Sequence, residues 1–315
     1  MSRRHLWFAL QAIGTIVLLT VLFRNFDWLR FWAVLRQMSP AFYAGSLMVL
    51  TLGQLLYAYR WRVVLSGMGI EVPYGELVRQ YFMGVFFSNL MPTSVGGDAA
   101  KVYYLGQRSG YLQIGASVFL DRFLGFAWLA VIGASLAWVV GAGAPVLELN
   151  RRLLSLFALA FVSAIAVARL APVERVLPRL VPARWSAWTA RVGEFVVLVR
   201  QGACRPATVL TSGAVVGAYA WAITLVYQAH FTASGLVAAT LPVMLVIISM
   251  SIFVNVPISV NGIGLREQLH ALLFAAFGIP KEVAVTIALV LFAHTLILSL
   301  VGGAIWLGQR PEGSA

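Results

Sequence analysis

The sequence contains little cysteine and little charge. One cysteine, Cys204, among 315 residues excludes an internal disulfide bond and a cysteine-based zinc site. Only 11% of the residues are charged, whereas soluble domains carry about a quarter. The chain has no Asp-x-Asp pair, no His-Glu-x-x-His, no Walker loop and no Gly-x-Ser-x-Gly elbow. These absences argue against an enzyme of a common class, and they exclude transport driven by ATP bound to this chain.

Apolar residues are abundant instead. They make up 61% of the chain, and the mean hydropathy is +0.87. An all-α polytopic membrane protein follows, with residues 1–315 as a single transmembrane domain and no room for a separate soluble domain. Six apolar runs are long enough to cross a bilayer, at about residues 6–23, 41–59, 113–140, 153–170, 207–229 and 283–308.

The basic residues predict topology. The net charge of +12 comes mainly from arginines that flank apolar runs, which favours contacts with lipid and argues against nucleic acid. The basic linker 169–206 is expected in the cytoplasm, and counting spans from it places both termini there too. Residues 24–40 alternate aromatic and basic side chains, as an interfacial amphipathic helix does. The excess of arginine over lysine is typical of GC-rich bacterial genomes, so we expect the bacterial inner membrane.

Two interrupted segments, at about 75–105 and 238–279, carry the same motif. Phe87-x-Asn89 and Phe253-x-Asn255 are each followed by a proline, then x-Ser-Val, then a glycine two residues on. Such breaks are tolerated in hydrocarbon only where they are buried in protein or line a wet cavity. We predict two re-entrant hairpins that enter from opposite leaflets. They would belong to an inverted pseudo-repeat of residues 41–140 and 207–308, the plan of many secondary transporters.

Three clusters of charge lie near the breaks: Asp98 with Lys101, Asp121 with Arg122, and Arg266 with Glu267. The side chains of adjacent residues on a helix point about 100° apart. We therefore expect that Asp121 does not neutralise Arg122 and that Glu267 does not neutralise Arg266. Pairing between clusters is the economical arrangement: Asp98 or Asp121 with Arg266, and Glu267 with Arg122 or Lys101. These pairs would either clamp the hairpins or hold a lipid phosphate.

Glycine turns add a second source of donors. Gly96-Gly97 and Gly262-Ile-Gly264 precede expected helix starts, where free backbone N–H groups favour an anion. The candidate substrate-binding residues are Arg60, Asn89, Pro92, Ser94, Gly96, Gly97, Asp98, Lys101, Asp121, Arg122, Asn255, Pro257, Ser259, Asn261, Gly262, Gly264, Arg266 and Glu267. Weaker candidates are Gln54, Glu76, Arg79, Gln268, His270 and His294, of which His294 is expected to be a hydrogen-bonded packing residue. No metal site, catalytic set or cofactor is indicated.

These residues resemble the signature of a known family. The match runs through Arg60-Trp61, Asn89-x-x-Pro92-x-Ser94-x-Gly96-Gly97-Asp98-x-x-Lys101, Asp121-Arg122 and Pro257-x-Ser-x-Asn261-Gly262-x-Gly264-x-Arg266-Glu267. The chain is similar to the lysylphosphatidylglycerol synthase transmembrane-region family, also described as flippase-like or UPF0104 membrane proteins, in a stand-alone form without the transferase domain. It departs from that pattern at Lys101, where arginine is usual, and at Asn261, where glycine is usual.

The resemblance implies a function in lipid movement. Membrane domains of this kind are expected to move phospholipids or polyprenyl-linked lipids between leaflets, so the partner would be an anionic phospholipid or a polyprenyl phosphate lipid. Two alternatives stay open. One is a membrane-embedded enzyme acting on a lipid-linked sugar or phosphate, with Asp98 or Glu267 as general base. The other is an accessory protein whose basic linker docks a lipid-modifying enzyme, and a homodimer is also left open.

Overall fold

A computed structural model describes residues 3–24, 26–91, 95–141, 143–170 and 186–308 of the chain. Within these ranges the secondary structure is helical, which confirms the all-α prediction. The long helices are α1 (Arg3–Phe23), α2 (Trp28–Gln37), α3 (Pro40–Gly67), α4 (Tyr74–Leu90), α5 (Gly96–Ser109), α6 (Tyr111–Val140), α7 (Pro145–Leu170), α8 (Ser186–Cys204), α9 (Pro206–Ala233), α10 (Thr240–Phe253), α11 (Leu265–Ala275) and α12 (Lys281–Leu307).

Five described helices are long and apolar enough to cross a membrane. They cover Pro40–Gly67, Tyr111–Val140, Pro145–Val167, Pro206–Ala233 and Lys281–Leu307, and they coincide with five of the six predicted spans. The sixth prediction, residues 6–23, falls on α1. Its residues Ala9–Phe23 are long and apolar enough to cross a membrane when they are counted together with α2, and the two helices meet at a bend of 88°. The prediction of a multi-pass membrane protein is therefore confirmed.

Helix α2 is the amphipathic helix predicted between the first two spans. Asp27 caps it by accepting a hydrogen bond from the backbone N–H of Arg30. Phe31 and Val34 are buried against the protein, whereas Leu29 and Trp32 are exposed. This division gives the helix one face for the protein and one for its surroundings. Its location at the membrane interface stays a prediction.

The two predicted breaks each separate a pair of shorter helices. Helices α4 and α5 flank the first break, of which residues 92–94 lie outside the described part of the chain. Helices α10 and α11 flank the second, which includes a single 3₁₀ turn at Val260–Gly262. Helices α5 and α10 have 14 residues each and α11 has 11. At about 1.5 Å per residue, none of these three crosses a core of about 30 Å. This agrees with the predicted hairpins, whose partial entry into the membrane remains a prediction.

Contacts between α3 and α9 run in opposite directions along the two helices. They join Phe42 with His230, Gly53 with Tyr219, and Gly67 with Thr208. The first helices of the two proposed repeat halves are therefore antiparallel. The contacts of the following helices show the same relation between the halves. Helix α4, the second of the first half, packs on α12, the last of the second half, and α10, the second of the second half, packs on α6, the last of the first half. This geometry is the one that an inverted repeat of 41–140 and 207–308 requires, and the repeat itself stays a prediction.

Helices α4 and α12 pack backbone against backbone. A Cβ atom on Gly302 would lie 2.0 Å from the carbonyl oxygen of Phe82, and the ring of Phe86 stacks on Trp306 with centroids 5.9 Å apart. Small residues permit such close approach between helices in a membrane. Helix α12 thus holds the incoming helix of the first break in place.

We predict that Gly302→Ala destabilises the protein by roughly 1–3 kcal/mol, because the new methyl group overlaps a backbone oxygen that has little room to move. The matched control is Gly217→Ala in α9, where nothing lies within 4 Å of the added carbon. Thermal unfolding in detergent, followed by tryptophan fluorescence, measures both variants. Equal melting temperatures for the two variants would contradict the packing described for α4 and α12.

Candidate functional site

The two breaks meet inside the protein. The side-chain amide of Asn261, in the second break, donates to Oδ1 of Asn89, at the end of α4, over 3.4 Å. A cavity of about 350 Å³ lies beside this contact, and its walls come from both halves of the chain, including Asp98 and Asn255. Two segments separated by about 170 residues of sequence therefore border one polar space.

The asparagine of the Phe-x-Asn motif makes the same side-chain hydrogen bond at both breaks. The amide of Asn89 donates to the carbonyl of Val85 over 3.2 Å, and the amide of Asn255 donates to the carbonyl of Ser251 over 2.8 Å. In each case the acceptor lies four residues earlier. Ser251 is in the last turn of α10, and because the backbone N–H of Asn255 bonds Ile252 instead, the side chain of Asn255 supplies a partner for the Ser251 carbonyl. Val85 lies before the last turn of α4, so the bond from Asn89 adds to the regular helical bonds there.

The outgoing helix α5 starts in close contact with α4. The backbone N–H of Gly97 donates to Oγ of Ser88 over 3.2 Å. A Cβ atom on Gly97 would lie 2.3 Å from the carbonyl oxygen of Gly84, so only glycine fits. The prediction that Gly97 offers a free N–H to a phosphate is wrong, because this group already bonds within its own hairpin.

Arg60 and Asp121 form a buried two-pronged ion pair. Nε and Nη2 of Arg60 lie 2.7 and 2.8 Å from the two carboxylate oxygens of Asp121. Tyr81 donates its hydroxyl to the same carboxylate over 2.9 Å. Gly125, one turn beyond Asp121, leaves space for the guanidinium. Every oxygen of this carboxylate is thus engaged, which makes the pair a clamp between α3 and α6.

A second carboxylate, Asp98, serves two cations. Arg122 donates from Nε to Oδ2 of Asp98 over 2.7 Å, and Nζ of Lys101 lies 3.5 Å from Oδ1. The ammonium of Lys101 also lies 3.6 Å from the centre of the Tyr81 ring. The side chain of Arg122 is 41% exposed, whereas that of Lys101 is 9% exposed. Arg122 is therefore the cation that a ligand in the cavity reaches most easily.

The second break obtains backbone partners from α1. The N–H of Val260 donates to Oγ1 of Thr15 over 2.9 Å, and Gln11 donates to the carbonyl of Pro257 over 3.4 Å. A Cβ atom on Gly14 would lie 2.3 Å from the carbonyl oxygen of Ile258. Helix α1 therefore packs directly on the broken backbone, although it lies outside both halves of the proposed repeat.

The turn into α11 needs residues that accept a left-handed backbone. Asn261, Gly262 and Gly264 have φ of 51°, 75° and 82°. Asparagine adopts this region more readily than other residues with a side chain, which explains how a residue other than glycine is accommodated at position 261.

Glu267 neutralises Arg266, its neighbour in sequence. Its Oε2 accepts the N–H of Gly264 over 2.7 Å, and its Oε1 accepts from Nε of Arg266 over 2.9 Å. The prediction of pairing between Arg266 or Glu267 and the other clusters is therefore wrong. At the first turn of α11 the long glutamate side chain folds back toward the helix start, where it meets both groups. The N–H of Gly264 is likewise not available to a phosphate.

A second cavity, of about 330 Å³, adjoins the first. Tyr57, Leu129, Ser251 and Thr295 line both cavities. Arg266 enters the second cavity with its guanidinium 4.2 Å from the centre of the Phe292 ring. His270 lines it too and is hydrogen bonded to Tyr227 over 2.5 Å. The candidate residues are thus divided between two neighbouring spaces.

The structure brings together about half of the candidate set. Lining the first cavity are Arg60, Asn89, Gly97, Asp98, Lys101, Asp121, Arg122 and Asn255. Arg266 lines the second, whereas Gly96, Pro257, Ser259, Asn261, Gly262, Gly264 and Glu267 line neither. Pro92 and Ser94 lie outside the described residues. Of the weaker candidates, Gln54 and His270 line a cavity, and His294 is bonded to Ser46 as a packing residue.

Sequence reasoning missed the aromatic and hydroxyl walls of the site. Tyr57, Tyr81, Ser251 and Thr295 all contribute to the cavities. One signal was present for the first of these, because Tyr57 precedes Arg60 by three residues and so shares its helix face. The others have no signal in a single sequence that separates them from packing residues.

The helical fold and the broken helices that meet at a charged cavity define a polytopic membrane protein with an internal polar site. The chain matches the model of the lysylphosphatidylglycerol synthase transmembrane region over residues 7–303, and it belongs to that family. A UPF0104 membrane protein of Pyrococcus horikoshii is 24% identical over 294 residues, which cover 84% of this chain and 86% of the relative. Another, from Methanothermobacter thermautotrophicus, is 28% identical over 141 residues, which cover 43% of this chain and 39% of the relative. No solved structure matches the chain.

We predict that Asp121→Asn destabilises the protein by roughly 3–5 kcal/mol, because it leaves the buried guanidinium of Arg60 without its counter-charge. Glu71→Gln removes the same charge from an exposed carboxylate and is expected to change stability by less than about 0.5 kcal/mol. Thermal unfolding in detergent compares the two. A stable Asp121→Asn protein would show that the pair does not clamp α3 to α6.

Proposed function

We propose that this protein is a lipid translocase that moves an anionic phospholipid or a lipid-linked intermediate between the leaflets of a membrane. The observation that carries the proposal is the first cavity, in which one carboxylate, Asp98, lies between the two cations Lys101 and Arg122. Charge at membrane depth is costly and usually marks a pathway for a polar substrate. An anionic headgroup is the substrate that this arrangement attracts.

The walls of the cavity match the two parts of such a lipid. Arg122, which is more exposed than Lys101, would meet the phosphate first, while the hydroxyls of Tyr57, Ser251 and Thr295 offer hydrogen bonds to the rest of the headgroup. The acyl or polyprenyl chains would stay in the hydrocarbon outside the protein. A headgroup can then cross without exposing its charge to lipid.

The arrangement of the halves supports a transport mechanism over a passive scaffold. Antiparallel α3 and α9, with breaks from both halves beside one cavity, provide the geometry in which rocking of one half against the other opens the site to either leaflet. In this proposal the Arg60–Asp121 and Arg266–Glu267 pairs hold the two halves in shape, one pair in each half.

We further propose a location and partners that follow from the charge pattern. The protein would lie in the bacterial inner membrane with both termini and the linker 169–206 in the cytoplasm. That basic linker suits contact with anionic lipid or with a lipid-modifying enzyme. A homodimer is compatible with this proposal and is not needed for the site.

Leaflet exchange in liposomes tests the function. Fluorescent phosphatidylglycerol is incorporated with the purified protein, and a membrane-impermeant quencher reports how much lipid reaches the outer leaflet with time. We expect exchange to fall roughly tenfold or more for Arg122→Ala and Lys101→Ala, because each removes a cation from the cavity. Arg152→Ala, which removes an exposed arginine paired with Glu148, is the matched control.

Two outcomes would contradict the proposal. Wild-type exchange no faster than in protein-free liposomes would remove lipid translocation. Wild-type exchange with both cavity variants unaffected would remove the proposed site. The mass of the recovered lipid separates translocation from enzymatic modification, since translocation leaves it unchanged.

A further inference from the structure

We infer that the site selects a headgroup with a single negative charge, a phosphodiester monoanion, over a phosphomonoester dianion or a diphosphate. This inference rests on the proposed function and narrows its substrate class. The observations that carry it are the number of charges on the cavity walls and the way in which they are paired. Neither depends on the shape of a particular lipid.

The charged groups among the described lining residues of the first cavity sum to one excess positive charge. They are the three cations Arg60, Lys101 and Arg122 and the two carboxylates Asp98 and Asp121. One bound monoanion therefore makes this wall electrically neutral.

The excess charge belongs to the Asp98 group. Arg60 and Asp121 satisfy each other through two hydrogen bonds, so neither has a charge left for a ligand. Asp98 has one negative charge to divide between Lys101 and Arg122, which lie 3.5 and 2.7 Å away. A phosphate oxygen near these two cations completes a neutral arrangement of two positive and two negative charges.

Burial keeps the charge of Lys101 from being relieved by solvent. Lys101 is 9% exposed and packs over the rings of Tyr81 and Trp61 at 3.6 and 5.5 Å. Its ammonium cannot turn toward bulk water without leaving both rings. A ligand is therefore the counter-charge that this position can gain, and a doubly charged ligand would bring one negative charge too many.

The adjoining cavity adds no net charge. Arg266 is matched by Glu267, and the other lining residues that are polar carry hydroxyl or imidazole groups. Nη2 of Arg266 lies 2.9 Å from Oε1 of Glu267 but lacks hydrogen-bond geometry with it, and no other described residue accepts from it, so this buried nitrogen can donate to an uncharged oxygen. This cavity suits the neutral part of the same headgroup and gives no site for a second phosphate charge.

Binding of short-chain lipids to the wild-type protein in detergent tests the charge count. Native mass spectrometry would compare phosphatidylglycerol, zwitterionic phosphatidylcholine and phosphatidic acid at about pH 7, where a phosphomonoester with a second pKa of about 6 is mostly a dianion. We expect the monoanion to bind roughly 60- to 300-fold more tightly than either competitor, because one uncompensated charge at membrane depth costs about this factor.

Two variants shift the count in opposite directions. Lys101→Gln makes the wall neutral and should move the preference toward phosphatidylcholine, whereas Asp98→Asn makes it doubly positive and should move the preference toward phosphatidic acid. Arg152→Gln removes a charge from an exposed side chain that lines neither cavity, and it should leave the order unchanged. Thermal unfolding checks that each variant is folded. If a variant does not fold, the order in which the wild type binds the three lipids still tests the charge count.

The outcomes separate this inference from the function on which it rests. Leaflet exchange by the wild type together with equal binding of the monoanion and the dianion would overturn charge selection and leave translocation standing. A preference order that is the same in folded Lys101→Gln and Asp98→Asn would also overturn it. Failure of the wild type to exchange any of the three lipids would overturn the proposed function instead.

Discussion

The structure depends on one constraint, which is that every polar backbone group inside hydrocarbon needs a partner. Two proline breaks create unpaired groups, and the protein supplies partners from nearby side chains. Asn255 does so at the end of the second incoming helix, and Ser88 and Glu267 do so at the starts of the two outgoing helices. The polar cavity exists because these breaks are held open in protein rather than closed into helix.

The ion pairs fall into two groups, one that stabilises the fold and one that borders the proposed headgroup site. In the pairs with matched charge, Arg60, Asp121 and Glu267 are buried, and Arg266 is partly buried. The unmatched group around Asp98 borders the space where a headgroup fits. In the proposed function, a structural role and a substrate role for charge therefore coexist in this chain, and the balance of charge in each group is what assigns its role.

Composition and motif spacing predicted the fold class, five of the spans and the positions of both breaks, because hydropathy and proline act locally. They did not predict the partners of the charges. Asp121 pairs with Arg60 across 61 residues of sequence, and that choice depends on how α3 and α6 pack. The prediction that adjacent charged residues on a helix do not pair with each other is correct for Asp121 and Arg122, which lie on a regular helix. It failed for Arg266 and Glu267, because at the first turn of a helix the glutamate folds back toward the cap.

The two breaks differ in what secures them. The first uses a serine of its own hairpin, whereas the second uses Thr15 and Gln11 of the N-terminal helix. A shift of the first hairpin would keep the bond between Gly97 and Ser88, although α4 would have to slide along α12, on which it packs. A shift of the second break would carry α1 along or break its bonds to Thr15 and Gln11. The helix order is therefore alike around the two breaks, whereas their anchoring differs, because the N-terminal helix anchors the second.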